Sequence, residues 1–207
     1  PSPPPPSPPP APPPSPPPLS PPPSPPPSPP PFASDLSLTL GSVLRLQEDA
    51  ANFPSVARLN ASLGLACWED DQTYDYLVCA TLTLGGTALS MGATTTVRYA
   101  STMQPSVMAL GETSAVVCYY DATYGRVRCN ALAVGSGGSL TVGSISDVYT
   151  SSMSTTYSNS LVTAALDSTH GAACLRTTGS YTYCYVLTVS GTSLSSGSYV
   201  TPSSSSA

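Results

Sequence analysis

The most chemically distinctive side chains of this 207-residue chain are six cysteines, which fall in close pairs: Cys67/Cys79, Cys118/Cys129 and Cys174/Cys184, with spacings of 12, 11 and 10. Many connectivities are open to six cysteines, but a spacing repeated three times favours three local disulfides, each closing its own hairpin. Buried free thiols are the alternative. Zinc fits less well, because there is no CxxC pair and the single histidine is His170. Local disulfides imply an oxidising, extracellular setting. Each would stabilise its hairpin by roughly 3 kcal/mol through loop-closure entropy.

Other reactive groups are sparse. His170 lies in the turn Asp167-Ser-Thr-His-Gly, and a Ser/His/Asp triad would need it, but the equivalent turns of the other repeats carry no histidine. Glu69, Asp70 and Asp71 with Asp75 make an acidic hairpin tip whose oxygens suit calcium, yet the spacing is not that of an EF-hand. It reads as a solvated acidic turn, so no catalytic residue, metal ligand or cofactor is assigned. Trp68, Tyr74, Tyr76, Tyr119, Tyr120, Tyr124, Tyr181, Tyr183 and Tyr185 gather around the cysteine hairpins. There they either pack the strands or stack on sugar or proline rings. Asn60-Ala-Ser62 is the one N-glycosylation sequon, placed in a turn, and Asn60 is the expected acceptor.

The elements that position these residues form a threefold repeat. Phe53-Pro-Ser-Val-Ala-Arg-Leu, Gln104-Pro-Ser-Val-Met-Ala-Leu and Ser160-Leu-Val-Thr-Ala-Ala-Leu each precede a cysteine hairpin. Successive hairpins lie 51 and 56 residues apart, counted from Cys67 to Cys118 to Cys174. In the second repeat, short valine, tyrosine and threonine runs at 107–110, 115–120, 126–134 and 139–142 are separated by glycine- and aspartate-rich turns. This is the pattern of antiparallel hairpins.

The expected fold is therefore all-β: three four-stranded antiparallel blade-like repeats over about 53–102, 103–156 and 157–202. Four strands per repeat of this length is the arithmetic of a propeller blade, and the segments resemble the blade repeats of secreted propeller-type proteins. Three blades are too few for a ring, so the array is expected to be open or completed by other subunits. A β-sandwich of the same strands is the alternative. Residues 36–42, in the linker 33–52, match 138–144 and read as an orphan fourth strand that could pair with a neighbouring subunit.

Charged residues are 8% of the chain, against about a quarter in most domains, and all six cations are arginines. A net charge of −5 argues against nucleic acid as a partner. No apolar run approaches the ~18 residues of a membrane span. Without an initiator Met or a signal peptide, and with a Ser-rich tail at 203–207, the chain reads as a processed segment.

Proline supplies 23 of residues 1–31 and 3 of the remaining 176. Lacking amide donors and with φ fixed, such a run is expected to form a polyproline II rod over 1–32, on the order of 95 Å long. Ser7, Ala11, Ser15 and Leu19, then Ser20, Ser24 and Ser28, are each separated by three prolines apart from one slip. A period of four on a three-residue helix winds these markers around the rod, whereas a one-sided docking ligand would repeat every third residue. A plain linker or an SH3-type ligand is the bland alternative.

A Ser-Pro-Pro-Pro rod joined to a lysine-free, cysteine-paired domain resembles the hydroxyproline-rich glycoproteins of green algae and plants. That group includes extensin-like wall proteins, volvocine matrix glycoproteins and flagellar-hair proteins. The resemblance implies hydroxylation and O-linked arabinose on Pro8, Pro9, Pro10, Pro12, Pro13, Pro14, Pro16, Pro17, Pro18, Pro21, Pro22, Pro23, Pro25, Pro26, Pro27, Pro29, Pro30 and Pro31. It also implies O-glycans on Ser7, Ser15, Ser20, Ser24 and Ser28. The function expected is that of a structural subunit in a secreted, glycosylated fibre or matrix, self-associating into a homopolymer. The competing expectation is a lectin-like adhesion module on a polyproline stalk.

Overall fold

The computed structural model describes residues 1, 2, 4, 43–45, 51–151, 153–154 and 160–201. The chain divides into two units, Pro1–Leu38 and Thr39–Ala207, and the architecture below belongs to the second. Residues 3 and 5–32 of the expected polyproline rod, the orphan strand expected at 36–42 and the tail at 203–207 lie outside the described residues.

Alternating and β-branched runs fold into strands throughout, and among the described residues there is no α-helix. Sheet 1 comprises β1 (Ala51–Arg58), β2 (Leu63–Asp70), β3 (Tyr76–Gly85), β4 (Ala88–Met91) and β5 (Thr95–Arg98), in the order β1-β2-β3-β4 with β5 also on β3. Sheet 2 is β6 (Thr102–Ala109), β7 (Ser114–Asp121), β8 (Arg126–Val134) and β9 (Leu140–Tyr149). Sheet 3 is β10 (Leu161–Ala165), β11 (His170–Arg176), β12 (Thr182–Ser190) and β13 (Ser193–Val200). Every pairing is antiparallel, and all but that of β3 with β5 join strands consecutive in sequence. The four-strand expectation needs correcting for the first repeat, which has five strands. Its last strand is split: the Gly92 amide donates to the Thr81 carbonyl, and a Cβ at Gly92 would meet the Thr81 hydroxyl, so the chain breaks step there before rejoining β3 as β5.

The three sheets pack face to face, with sheet 2 in the middle. Leu65, Cys67, Leu77 and Cys79 of sheet 1 meet Val107, Ala115, Val117, Tyr119 and Leu132 of sheet 2. The other face of sheet 2 (Met108, Val116, Cys118, Val127, Cys129 and Ala131) meets Leu161, Ala173, Leu175, Leu187 and Val189 of sheet 3. A smaller core on the far side of sheet 1 holds Ala66, Trp68, Val78, Ala80 and Leu82, with Leu44 packed against it. Among the described residues the sheets close into neither a barrel nor a propeller ring.

The proline of the repeated segment has a structural cause. Phe53 and Gln104 both have positive φ, 48° and 53°, and each precedes a proline at a register shift in the first strand of its sheet. This is a bulge, where an absent amide costs no ladder bond. The third repeat has Leu161 in place of the proline, and its first strand pairs without a shift over five residues.

Candidate functional site

The three cysteine pairs form disulfides Cys67–Cys79, Cys118–Cys129 and Cys174–Cys184, with Cα–Cα distances of 4.1, 4.0 and 4.0 Å. Each links directly opposed residues of the two central strands, so each lies within a transverse row of side chains on one face of its sheet. The rows are Ser55, Cys67, Cys79, Thr95 in sheet 1 and Ser106, Cys118, Cys129, Ser146 in sheet 2. In sheet 3 the row is Val162, Cys174, Cys184, Val200.

In sheets 1 and 2 this disulfide face is covered by the next sheet. The covering contacts repeat as well. Ser55 Oγ accepts from the Val107 amide at 3.0 Å, and one repeat on, Ser106 Oγ and Thr163 Oγ1 bond at 3.0 Å. The disulfide face of sheet 3 has no such cover, and Val162, Val186 and Val200 on it are 51%, 44% and 65% exposed. The serine and threonine of the buried rows are thus valines in the exposed one. The rest of that face is more polar, with Thr188, Ser190, Ser193 and Ser195 exposed on it, as suits a terminal repeat.

Two clusters of charge flank the sheet 1–sheet 2 boundary. Asp121, whose side chain is fully buried, receives Arg98 Nε at 2.9 Å and Arg128 Nη1 at 2.8 Å on one oxygen, and the Tyr124 amide at 3.2 Å on the other. Arg98 comes from sheet 1, so this pair joins two sheets. Arg128 and Arg126 also reach Asp147, each at 2.7 Å. Burial alone would raise the Asp147 carboxyl, but the two guanidinium bonds outweigh it and hold the group below its ordinary range. Tyr124 lies under both Arg98 and Arg128, 5.3 and 4.5 Å from ring centre to guanidinium carbon.

The second cluster is the acidic tip. Carboxylate oxygens of Glu69, Asp71 and Asp75 all lie within 4.8 Å of one another. Glu69 shares the sheet face of Leu65 and Cys67 and is 5% exposed, and its Oε2 is buried without a hydrogen-bond partner. Burial, then the charge of Asp75, push its pKa up to about 7. The solvated acidic turn expected from the sequence is thus solvated at Asp71 and buried at Glu69.

His170 Nδ1 sits 2.9 Å from Asp167, whose Oδ1 also accepts the Thr169 and His170 amides at 2.7 and 2.8 Å. The Thr169 amide, with His170, holds this exposed carboxyl far below its usual range, as in an ordinary Asx turn. Asn60 sits in the β1–β2 turn, its Oδ1 accepting the Ser62 and Leu63 amides at 3.0 and 2.9 Å, which leaves the bonds on the oxygen rather than on the nitrogen a glycan would use. A shallow apolar groove of about 430 Å³ beside it is lined by Val56, Leu82, Leu84 and Leu89.

The aromatic residues divide. Trp68 and Tyr119 are core, with the Tyr119 hydroxyl on Asn130 Oδ1 at 2.8 Å. Tyr149, Tyr183, Tyr199 and Tyr185 form a ladder at the sheet 2–sheet 3 boundary. Tyr74, Tyr76 and Tyr99 make a ring chain whose two ends are exposed.

Sequence reasoning missed the Asp121 network and the open valine face. The first is foreshadowed by Arg126 and Arg128, two cations on alternate positions of one strand in an arginine-poor chain. The second is foreshadowed by the repeat itself, in which Ser55 and Ser106 align with Val162.

Set against known proteins, the chain matches no family model, and no curated sequence matches it either. Three disulfides indicate an oxidising, extracellular or secreted environment. Among the described residues no helix is long and apolar enough to cross a membrane.

Proposed function

We propose that this chain is a structural subunit of an extracellular, glycosylated fibre or matrix. On this reading the three sheets are blade-like repeats in an open array that other subunits complete, and residues 1–32 are the O-glycosylated rod packed within the assembly. The observation that carries it is the uncovered disulfide face of sheet 3, which exposes Val162, Val186 and Val200 and whose counterparts in sheets 1 and 2 are both buried under a further sheet. The proline run and the low share of charged residues, 8% of the chain, agree with a role in a sugar-coated solid.

The test is sedimentation velocity and limited proteolysis on material purified from its native source, with intact mass measured on the peptide spanning 1–31. Large assemblies, a protected proline run and added pentose mass are the expected result. A strict monomer with an unmodified, protease-sensitive run would sink the reading. The exposed rings of Tyr74 and Tyr99 favour one competitor, a sugar-binding adhesion module. Selective retention of residues 51–201 on a glycan array, with no self-association, would favour it.

A further inference from the structure

We propose that Glu69, Asp71 and Asp75 form a binding site for a calcium-sized divalent cation at the tip of the β2–β3 hairpin. The site is independent of whether the chain assembles into a fibre. Its geometry suits one ion: no pair of the chosen carboxylate oxygens is separated by more than 4.8 Å. That is the greatest separation available to two oxygens each bonded at about 2.4 Å to a common ion. The ligand set is all oxygen, and all six cysteine sulfurs are committed to disulfides, which selects a hard cation over zinc or copper.

The decisive feature is Glu69. It occupies a row position that sheet 2 fills with Tyr120, at the packed face between sheets, and its Oε2 is buried with nothing to bond. A buried carboxylate without a positive partner costs several kcal/mol. At the same end of sheet 2, the molecule meets that cost at Asp121 with two arginines. Among the described residues, none of Glu69, Asp71 and Asp75 makes a salt bridge.

The polar neighbours present are neutral. Asn52 Nδ2 bonds Asp71 Oδ1 at 2.9 Å and its amide also bonds Glu69, while Ser101 Oγ bonds Asp75 Oδ2 at 3.3 Å. They orient the carboxylates and leave their charge unbalanced. One divalent ion cancels most of it, bonds the orphan oxygen and closes its shell with water on the exposed Asp71 side.

The experiment is calorimetric titration of Ca2+ into the EDTA-treated full chain, alongside thermal midpoints with and without Ca2+ or Mg2+. One site is expected, with Kd about 10⁻⁴ to 10⁻³ M as in extracellular calcium modules. The midpoint should rise with Ca2+ and respond far less to Mg2+. Glu69→Gln and Asp75→Asn should each weaken binding by roughly tenfold or more, and Asp167→Asn should leave it unchanged. Two outcomes overturn the site: no saturable heat at millimolar Ca2+, or a midpoint that Ca2+ and Mg2+ raise alike in wild type and in Glu69→Gln. Either would mean that Glu69 holds no cation.

Discussion

Glu69 and Asp121 are two carboxylates at the same end of neighbouring sheets, buried by different means, and they give opposite predictions. Without a cation, the Glu69 carboxyl holds its proton up to about pH 7, against an ordinary value of 4.5. Burial is the main cause, and the facing Asp75 and Asp71 add to it. The folded state therefore binds the proton more tightly than the unfolded state does. The stability this proton confers is fully present below pH 4.5 and is lost as pH rises through 7. In EDTA, urea unfolding should lose on the order of 2–3 kcal/mol across that window through this group. Glu69→Gln should flatten the slope, and an unchanged slope in the variant would assign it to another residue. Asp121 behaves otherwise, because its charge is met by Arg98 and Arg128. Asp121→Ala strands the largely buried Arg98 guanidinium and takes from Arg128 one of its two carboxylate partners, and should cost about 3–5 kcal/mol by the same measurement. Arg126→Ala breaks a half-exposed pair with Asp147 and should cost less than about 1 kcal/mol.

At the scale of elements, the sheets are held at contact distance by backbone that tolerates no side chain. A Cβ on Gly143, in β9, would run into the carbonyl oxygen of Thr192 in the β12–β13 turn, and the Ser144 amide reaches that same oxygen at 3.3 Å. Gly143→Ala should therefore push sheet 3 off sheet 2 and cost about 1–3 kcal/mol in denaturant unfolding. Gly85→Ala, where a Cβ meets nothing within 4 Å, should change stability by less than about 0.5 kcal/mol.

What could be read from the sequence follows the same division. The cysteine spacings and the short valine and tyrosine runs encode hairpins, because a strand's side-chain period and its turn residues are local properties. Within the second repeat, the span expected at 126–134 coincides with β8, while β6 begins five residues before the expected 107 and β9 runs seven beyond 142. The extra length of β6 lies beyond the Gln104-Pro105 bulge, where alternation breaks and the local pattern stops reading as strand. The splitting of β4 from β5, the Arg98–Asp121 pair and the burial of Glu69 depend on which sheet lies against which, and strand patterns carry no record of that.

For the molecule as a whole, the repeating face-to-back packing makes the stack directional: each disulfide face looks toward the next sheet, and the last looks outward. Val162 and Val186 are exposed, so Val162→Asp and Val186→Asp should leave the thermal midpoint within a few degrees of wild type. If sheet 3's outer face joins subunits, either change should shift sedimenting material toward monomer. Unaltered assembly in both variants would move the contact elsewhere.

The disulfides have a mechanical consequence. Under tension along the chain, an ordinary β hairpin can be unzipped and its contour released. Here the segments enclosed between Cys67 and Cys79, Cys118 and Cys129, and Cys174 and Cys184 are bypassed by a covalent bond, so a pull can peel the outer strands of each sheet but cannot lengthen those loops. Single-molecule stretching should therefore yield longer extension steps after reduction than before it. Each locked loop, closed over a sequence separation of 12, 11 or 10, is withheld from the reserve of length that the sheets can surrender under load.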